Sequence, residues 1–160
     1  MIDLQAVPDM QKPSFKLDVE QSALEYRNSE HQSVWQIPLE SIVLMAEYTT
    51  NEGPYLDDYF LVFVSADGDS LNIATASFYA DGRDEIVRNL AQRWKTNIEL
   101  LLFNSTEWAS RVVWPPTLVG REYFESRVVE PKKLAEKLRR FAFGPVYEYF
   151  PSQSVREFLL

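Results

Sequence analysis

Residues 57–79 constrain the fold of this chain most, because they predict a β-hairpin with a defined turn. Apolar residues occupy both alternating sets of positions over residues 57–65, so we expect a central strand that is buried on both faces. The Asp67-Gly68 pair supplies the positive backbone dihedrals that match the twist of a hairpin. Residues 71–79 return as the partner strand, and the fold is therefore expected to centre on an antiparallel sheet.

Upstream of this hairpin the chain has the pattern of further strands. Alternation of apolar and polar residues is typical of half-buried strands, and it marks residues 15–20, 23–27, 34–37 and 42–49. Downstream, residues 81–95 are predicted to form a helix with Asp81 as its N-cap. This helix is expected to cover one face of the sheet with the stripe Ile86, Val87, Leu90, Ala91 and Trp94.

The second half of the chain contains shorter strands and a second predicted helix. Strand patterns mark residues 98–103, 111–114 and 122–129, and a weak alternation runs through residues 146–160. The helix starts at Pro131 and ends at Gly144-Pro145, both favoured residues for those positions. Its apolar stripe is Leu134, Ala135, Leu138, Phe141 and Ala142.

These patterns predict an α+β domain: a bent antiparallel sheet or partial barrel with two amphipathic helices. Residues 1–14 are expected to form a tail or extended arm. Residues 15–97 are expected to form the sheet with its capping helix, and residues 98–160 a strand–helix extension of the same compact unit. A length of 160 residues agrees with one domain of this kind.

The charges divide unequally between the two halves. Residues 1–80 hold 13 acidic and three basic residues, a net charge of −10, whereas residues 81–160 hold 11 acidic and 13 basic residues, a net charge of +2. The overall charge of −8 would repel a polyanion, so nucleic acid is not an expected partner.

The residue types needed for common catalytic and metal sites are scarce. The chain has no cysteine, which removes disulfides, thiolate metal sites and cysteine nucleophiles. Its one histidine, His31, is expected in an exposed polar turn. Five widely spaced glycines form no phosphate-binding loop, and the acidic pairs Asp57-Asp58 and Asp67/Asp69 suit turns rather than a calcium loop. We therefore predict no catalytic residue, no cofactor and no metal, and hence no enzyme.

The N-terminal residues lack the basic and apolar regions of a signal peptide, and the apolar runs are too short to span a bilayer. The protein is therefore expected to be cytoplasmic and not an integral membrane protein.

The second predicted helix is the strongest candidate for a binding surface. Its basic residues are Lys132, Lys133, Lys137, Arg139 and Arg140. A basic amphipathic helix can contact anionic lipid, although the acidic chain disfavours that. The same residues can instead be solvated, or meet the acidic half of this chain, of a second copy or of another protein.

Trp108 and Trp114, followed by Pro115-Pro116, form a second candidate. Aromatic residues beside two prolines can line a peptide-binding groove. The favoured interpretation is a core tryptophan at the end of a strand.

The segment Trp35-Gln36-Ile37-Pro38-Leu39-Glu40-Ser41-Ile42, within a series of strands followed by the helix at 81–95, resembles small bacterial and GRAM-type members of the pleckstrin-homology-like superfold. The resemblance covers residues 15–95 and implies a non-enzymatic binding or scaffolding module. The family has seven strands before its helix and normally ends there, whereas five or six are counted here and the chain continues. Because the early loops are acidic here, phosphoinositide binding is not carried over.

Three functions follow from these features. The first is protein–protein binding or scaffolding without catalysis, through a protein partner or through self-association. The second is a small acidic inhibitor, of the kind that immunity proteins represent, that neutralises a basic partner by charge complementarity. The third, which is the least favoured, is an enzyme that uses carboxylates and tyrosines in a cleft.

Overall fold

The computed structural model describes residues 11–51, 53, 56–143 and 147–160, and these form an α+β arrangement of three antiparallel sheets and three helices. The first sheet has the order β1-β2-β3 and consists of β1 (Ser14–Asp18), β2 (Ala23–Arg27) and β3 (Ser33–Pro38). The second has the order β6-β5-β4-β7 and consists of β4 (Ile42–Thr49), β5 (Tyr59–Asp67), β6 (Ser70–Ser77) and β7 (Ala109–Trp114). The third pairs β8 (Phe124–Val128) with β9 (Tyr147–Pro151).

The helices are α1 (Arg83–Trp94), α2 (Leu134–Phe143) and α3 (Gln153–Leu159). The sequence predicted two helices, and α3 is the additional one. It occupies part of the C-terminal stretch whose weak alternation suggested a strand. Its N-cap residue, Ser152, accepts a hydrogen bond from the amide of Val155 through its hydroxyl, which is a favourable start for a helix.

The central hairpin is confirmed. β5 lies between β4 and β6, its register with β6 runs from Phe60 opposite Ser77 to Asp67 opposite Ser70, and Gly68 in the turn has a φ of +59°. Both faces of β5 are buried, because Leu61 and Phe63 pack on one side of the sheet and Val62 and Val64 on the other.

Two hydrophobic cores therefore lie on opposite faces of the second sheet. The first core fills the space between this sheet, the first sheet and α1, and it includes Leu24, Phe63 and Leu90. The second core lies under the C-terminal part of the chain, which contributes Tyr123 and Val155. Strand β7, from the second half of the chain, completes the same sheet by pairing with β4.

The predicted α+β class with antiparallel strands is confirmed, but the predicted partial barrel is wrong, because the described strands form three separate sheets and close no barrel. Strand β3 ends at Pro38, which has no amide hydrogen to donate. A short 3₁₀ turn, Leu39–Ser41, then carries the chain into β4, so β4 starts a new sheet rather than extending the first.

Two local predictions are also corrected. Residues 98–103 form no strand; the amide of Leu101 instead donates to the carboxylate of Glu47, and a 3₁₀ turn follows at Leu102–Asn104. Asp81 is not the N-cap of α1. That residue is Gly82, whose φ of +80° favours glycine and where a Cβ would lie 3.0 Å from the carbonyl oxygen of Phe15.

Candidate functional site

Strands β8 and β9 form an arm together with α2, which lies between them in the sequence; the described residues of the arm are 124–143 and 147–151. The base of the arm is fixed to the second sheet. The hydroxyl of Ser110 accepts hydrogen bonds from the amides of Tyr123 and Phe124, at 3.1 and 2.9 Å. The rings of Trp108 and Tyr149 stack with centroids 4.3 Å apart. These contacts hold the near end of the arm, whereas α2 lies beyond the last strand pair, Val128 opposite Tyr147.

The first turn of α2 is stabilised by Glu136. Its carboxylate accepts hydrogen bonds from the amides of Lys132 and Lys133, at 2.8 and 3.2 Å. Amides at the start of a helix have no backbone carbonyl of the helix to donate to, so this side chain satisfies them. These hydrogen bonds, first that of Lys132 and then that of Lys133, lower the pKa of Glu136. The helix therefore has a defined start although it is exposed.

The apolar stripe of α2 is not covered by this chain. Leu134, Leu138 and Phe141, at helical positions i, i+4 and i+7, are 74%, 62% and 94% exposed. Over residues 134–142 only Arg140 is partly buried, and the others are exposed. Three large apolar side chains side by side in water are unusual on a surface, and they indicate a contact surface.

The predicted basic residues lie beside this stripe. Lys133, Lys137 and Arg140 repeat the spacing of the apolar stripe one residue earlier, so they form a row along one side of it. Arg140 also contacts Glu130 at 3.4 Å. Lys132 and Arg139 fall on the other side of the helix. We call the apolar stripe together with this basic row the arm surface.

The two predicted tryptophans lie in different environments. Trp114, the last residue of β7, stacks on Trp94 of α1 with centroids 4.2 Å apart and packs against the first core. Trp108 is 44% exposed and lines an open cleft of about 530 Å³ at the base of the arm. Of these two tryptophans, Trp108 is the one exposed enough to contact a partner.

This cleft, which we call the Trp108 cleft, combines aromatic and acidic side chains. Phe124 and Tyr149 line it with Trp108, and so do Glu122 and Glu125. Glu125 accepts a hydrogen bond from the amide of Gln153 at 2.8 Å and lies 3.8 Å from the guanidinium of Arg156. Glu122 is exposed and forms no ion pair with another described residue. These two carboxylates were not predicted as site residues, because sequence periodicity does not show that the chain after β7 turns back beside Trp108.

A buried charge pair in the second sheet was also missed. The side chain of Glu47 is 0% exposed, its carboxylate lies 2.8 Å from the guanidinium of Arg111, and it accepts a hydrogen bond from the hydroxyl of Tyr59. Burial, followed by this hydrogen bond, raises the pKa of Tyr59. The feature of the sequence that could have indicated this pair is an acidic residue, Glu47, within the otherwise apolar strand predicted at residues 42–49. With Arg111, Tyr59 and the Leu101 amide as partners inside the fold, Glu47 has the contacts of a structural residue.

The remaining polar candidates lie apart from one another. His31 is exposed in a turn, as predicted. Asp58 accepts a hydrogen bond from the hydroxyl of Tyr79 at 2.7 Å, which raises the pKa of Tyr79 to about 12, and Asp67 and Asp69 flank the β5–β6 turn. Within residues 11–51, 53, 56–143 and 147–160, no three histidine or carboxylate side chains are placed to hold a metal ion. In the same residues no helix has the length and apolar character to cross a membrane.

Comparisons of the chain with protein-family models, curated proteins and solved structures give no match. The resemblance to the pleckstrin-homology-like superfold stays a prediction. Six strands precede α1.

Proposed function

We propose that this chain is a non-catalytic protein-binding module and that the arm surface is its contact element. The observation that carries the proposal is the exposure of Leu134, Leu138 and Phe141 on a helix with a stabilised start. An exposed amphipathic helix usually places its apolar residues in a groove of a partner, where they act as anchors at helical spacing. The resemblance to pleckstrin-homology-like domains implies the same class of function.

The charge distribution favours a protein over a membrane or a nucleic acid. The arm, residues 124–151, has six basic and four acidic residues, a net charge of +2, and the rest of the chain therefore has −10. A surface of anionic lipid or nucleic acid would attract the arm but repel the larger remainder of the molecule. An acidic protein surface of limited size can contact the arm alone. A cytoplasmic partner fits the absence of cysteine.

A second candidate function rests on the other charge. The Trp108 cleft has two carboxylates, Glu122 and Glu125, in a chain with an overall charge of −8, which suits an acidic inhibitor of a basic partner. Such an inhibitor would bind through the cleft, and its association rate would fall steeply as salt increases. Changes in α2 would leave that binding intact.

The arm surface can be tested with a double variant, Leu138→Ala/Phe141→Ala. Lysine-reactive crosslinking through Lys132, Lys133 and Lys137 would identify the protein that contacts the arm, and titration of that purified protein would give the dissociation constant. Truncation of a buried anchor residue costs about 1 kcal/mol or more, so we expect the double variant to lose about 2 kcal/mol or more and to bind at least about 30-fold more weakly.

The matched control is Val19→Ala, which truncates a side chain that is 79% exposed in the β1–β2 turn, away from the arm. It should leave the dissociation constant unchanged. A purified partner that binds both variants equally would show that the arm surface is not the contact element. Loss of binding only in Glu122→Lys would favour the inhibitor instead.

A further inference from the structure

The arm offers one surface that is apolar and basic, and a second that is aromatic and acidic. The first is the arm surface at the tip, and the second is the Trp108 cleft at the base. The arm surface lies on α2. The Trp108 cleft is lined by residues of both strands of the arm, by residues 108–110 and by Glu122. Helix α2 does not fill the cleft of its own chain, because no described residue of α2 lines the cleft and Leu134, Leu138 and Phe141 are exposed.

We infer that a second copy of this chain covers α2, with the arm surface of each copy in the Trp108 cleft of the other. This inference rests on the proposed function and names the partner. Two arms that lie side by side in opposite directions bring each tip to the other base. That arrangement has twofold symmetry, so the two contacts form together. Both arm surfaces and both clefts of the dimer are then covered.

The two surfaces are complementary: apolar side chains of the arm surface can meet aromatic rings of the cleft, and basic side chains can meet a carboxylate. Phe141 and Leu138 would contact the rings of Trp108 and Phe124, since aromatic pairs and apolar burial stabilise such contacts. The basic row at Lys133 and Lys137 would lie beside Glu122, whose carboxylate is exposed at the cleft.

Two arginines already lie close to the cleft and limit where further cations bind. The guanidinium groups of Arg127 and Arg156 lie over the ring of Phe150, at 5.3 and 5.1 Å from its centroid, and Arg156 is the neighbour of Glu125. Glu122 is therefore the carboxylate expected to receive the basic row. This local attraction has to exceed the long-range repulsion between two copies that each have a net charge of −8.

A charge exchange between the two surfaces tests this directly. The first variant is Lys133→Glu/Lys137→Glu, which reverses the basic row, and the second is Glu122→Lys. Light scattering coupled to size exclusion, over a concentration series at low salt, gives the dissociation constant of the dimer. We expect a dimer for the unchanged chain, and dissociation constants at least about tenfold higher for each variant alone. An equimolar mixture of the two variants should recover a dimer, because each reversed surface then faces an opposite charge.

Controls with the same charge changes separate this contact from a general charge effect. Lys12→Glu/Arg88→Glu matches the first variant and Glu30→Lys matches the second, and all three positions are exposed and outside the arm. These controls should dimerise as the unchanged chain does.

A monomer at all concentrations and low salt would overturn the inference, and so would a dimer that the two variants do not affect. A different protein that binds in a manner dependent on Phe141 would overturn it and leave the proposed function standing. Flotation of the chain with phosphatidylserine vesicles, lost in Leu138→Ala/Phe141→Ala, would overturn both.

Discussion

Arg111 is the residue on which the buried charge of the second sheet depends. It is largely buried in β7, and its guanidinium lies 2.8 Å from the fully buried carboxylate of Glu47. Breaking a buried ion pair by removing one partner leaves the other charge without compensation, and the cost is about 3–5 kcal/mol. Arg111 also donates to the carbonyl of Glu99 at 2.9 Å, so it contacts the irregular segment that connects α1 to β7.

We therefore expect Arg111→Met to lower the free energy of unfolding by about 3 kcal/mol or more in urea denaturation. The double variant Glu47→Met/Arg111→Met removes both charges and should recover much of that loss. Arg127→Met, which breaks the exposed pair of Arg127 with Glu148, should cost less than about 1 kcal/mol. A single and a double variant of equal stability would contradict the assigned role of the pair.

At the scale of the element, α2 depends on its first turn because it packs on little else. Only Arg140 is partly buried over residues 134–142, so tertiary contacts contribute little to the helix, and short helices are marginal by themselves. The hydrogen bonds from the amides of Lys132 and Lys133 to Glu136 are therefore important for its formation.

We expect Glu136→Ala to accelerate amide hydrogen exchange over residues 132–141 and to leave exchange in β5 unchanged. Because the folded pKa of Glu136 is lowered, its contribution is present above the ordinary pKa of a glutamate and is lost as the pH falls through the lowered value. The protection factors of the α2 amides, which are corrected for the intrinsic pH dependence of exchange, should therefore fall in acid for the unchanged chain. Glu130→Ala is the control: it removes the ion pair of Glu130 with Arg140 but keeps the hydrogen bonds to Glu136. Amide exchange in the first turn of α2 should stay as slow as in the unchanged chain. Equal exchange in both variants would show that Glu136 does not hold the helix start.

At the scale of the whole molecule, two cores on opposite faces of one sheet link the N-terminal and C-terminal halves. Tyr123 lies in the second core and is 1% exposed. Its burial raises its pKa to about 12. A raised pKa in the folded chain means that the stabilisation is complete below pH 10 and decreases as the pH rises from 10 through 12, because the unfolded chain releases its proton first.

We expect the free energy of unfolding to decrease between pH 10 and 11.5. Over the same pH range the decrease should be smaller in Tyr123→Phe, by up to about 2 kcal/mol. Urea denaturation at several pH values measures this. Tyr147→Phe, which changes a tyrosine that is 50% exposed, should follow the unchanged chain. If Tyr123→Phe declines as steeply as the unchanged chain, burial of this hydroxyl is not the cause.

Local patterns in the sequence were sufficient for the elements whose signals lie within a few residues. The hairpin of β5 and β6, the strand β2, the helix α1 and the apolar stripe of α2 all follow from periodicity and turn residues. The sequence also identified the basic residues of α2, because they lie within one helical segment. The N-terminal residues 1–10 lie outside the described part of the chain, so the predicted tail is not assessed there.

Tertiary structure decided which strands share a sheet and which side chains meet. Alternation of apolar and polar residues shows which residues share a face of a strand, but it does not show where one sheet ends. In the structure the first sheet ends at Pro38 and β4 belongs to a second sheet, so the predicted partial barrel does not form. The meeting of Trp108 with Tyr149 and the burial of Glu47 against Arg111 join residues 41 and 64 positions apart. Such long-range pairs follow from the packing of whole elements, whereas the periodicity of a sequence reports only local geometry. For this reason the residues of the arm surface could be predicted from the sequence, and those of the Trp108 cleft could not.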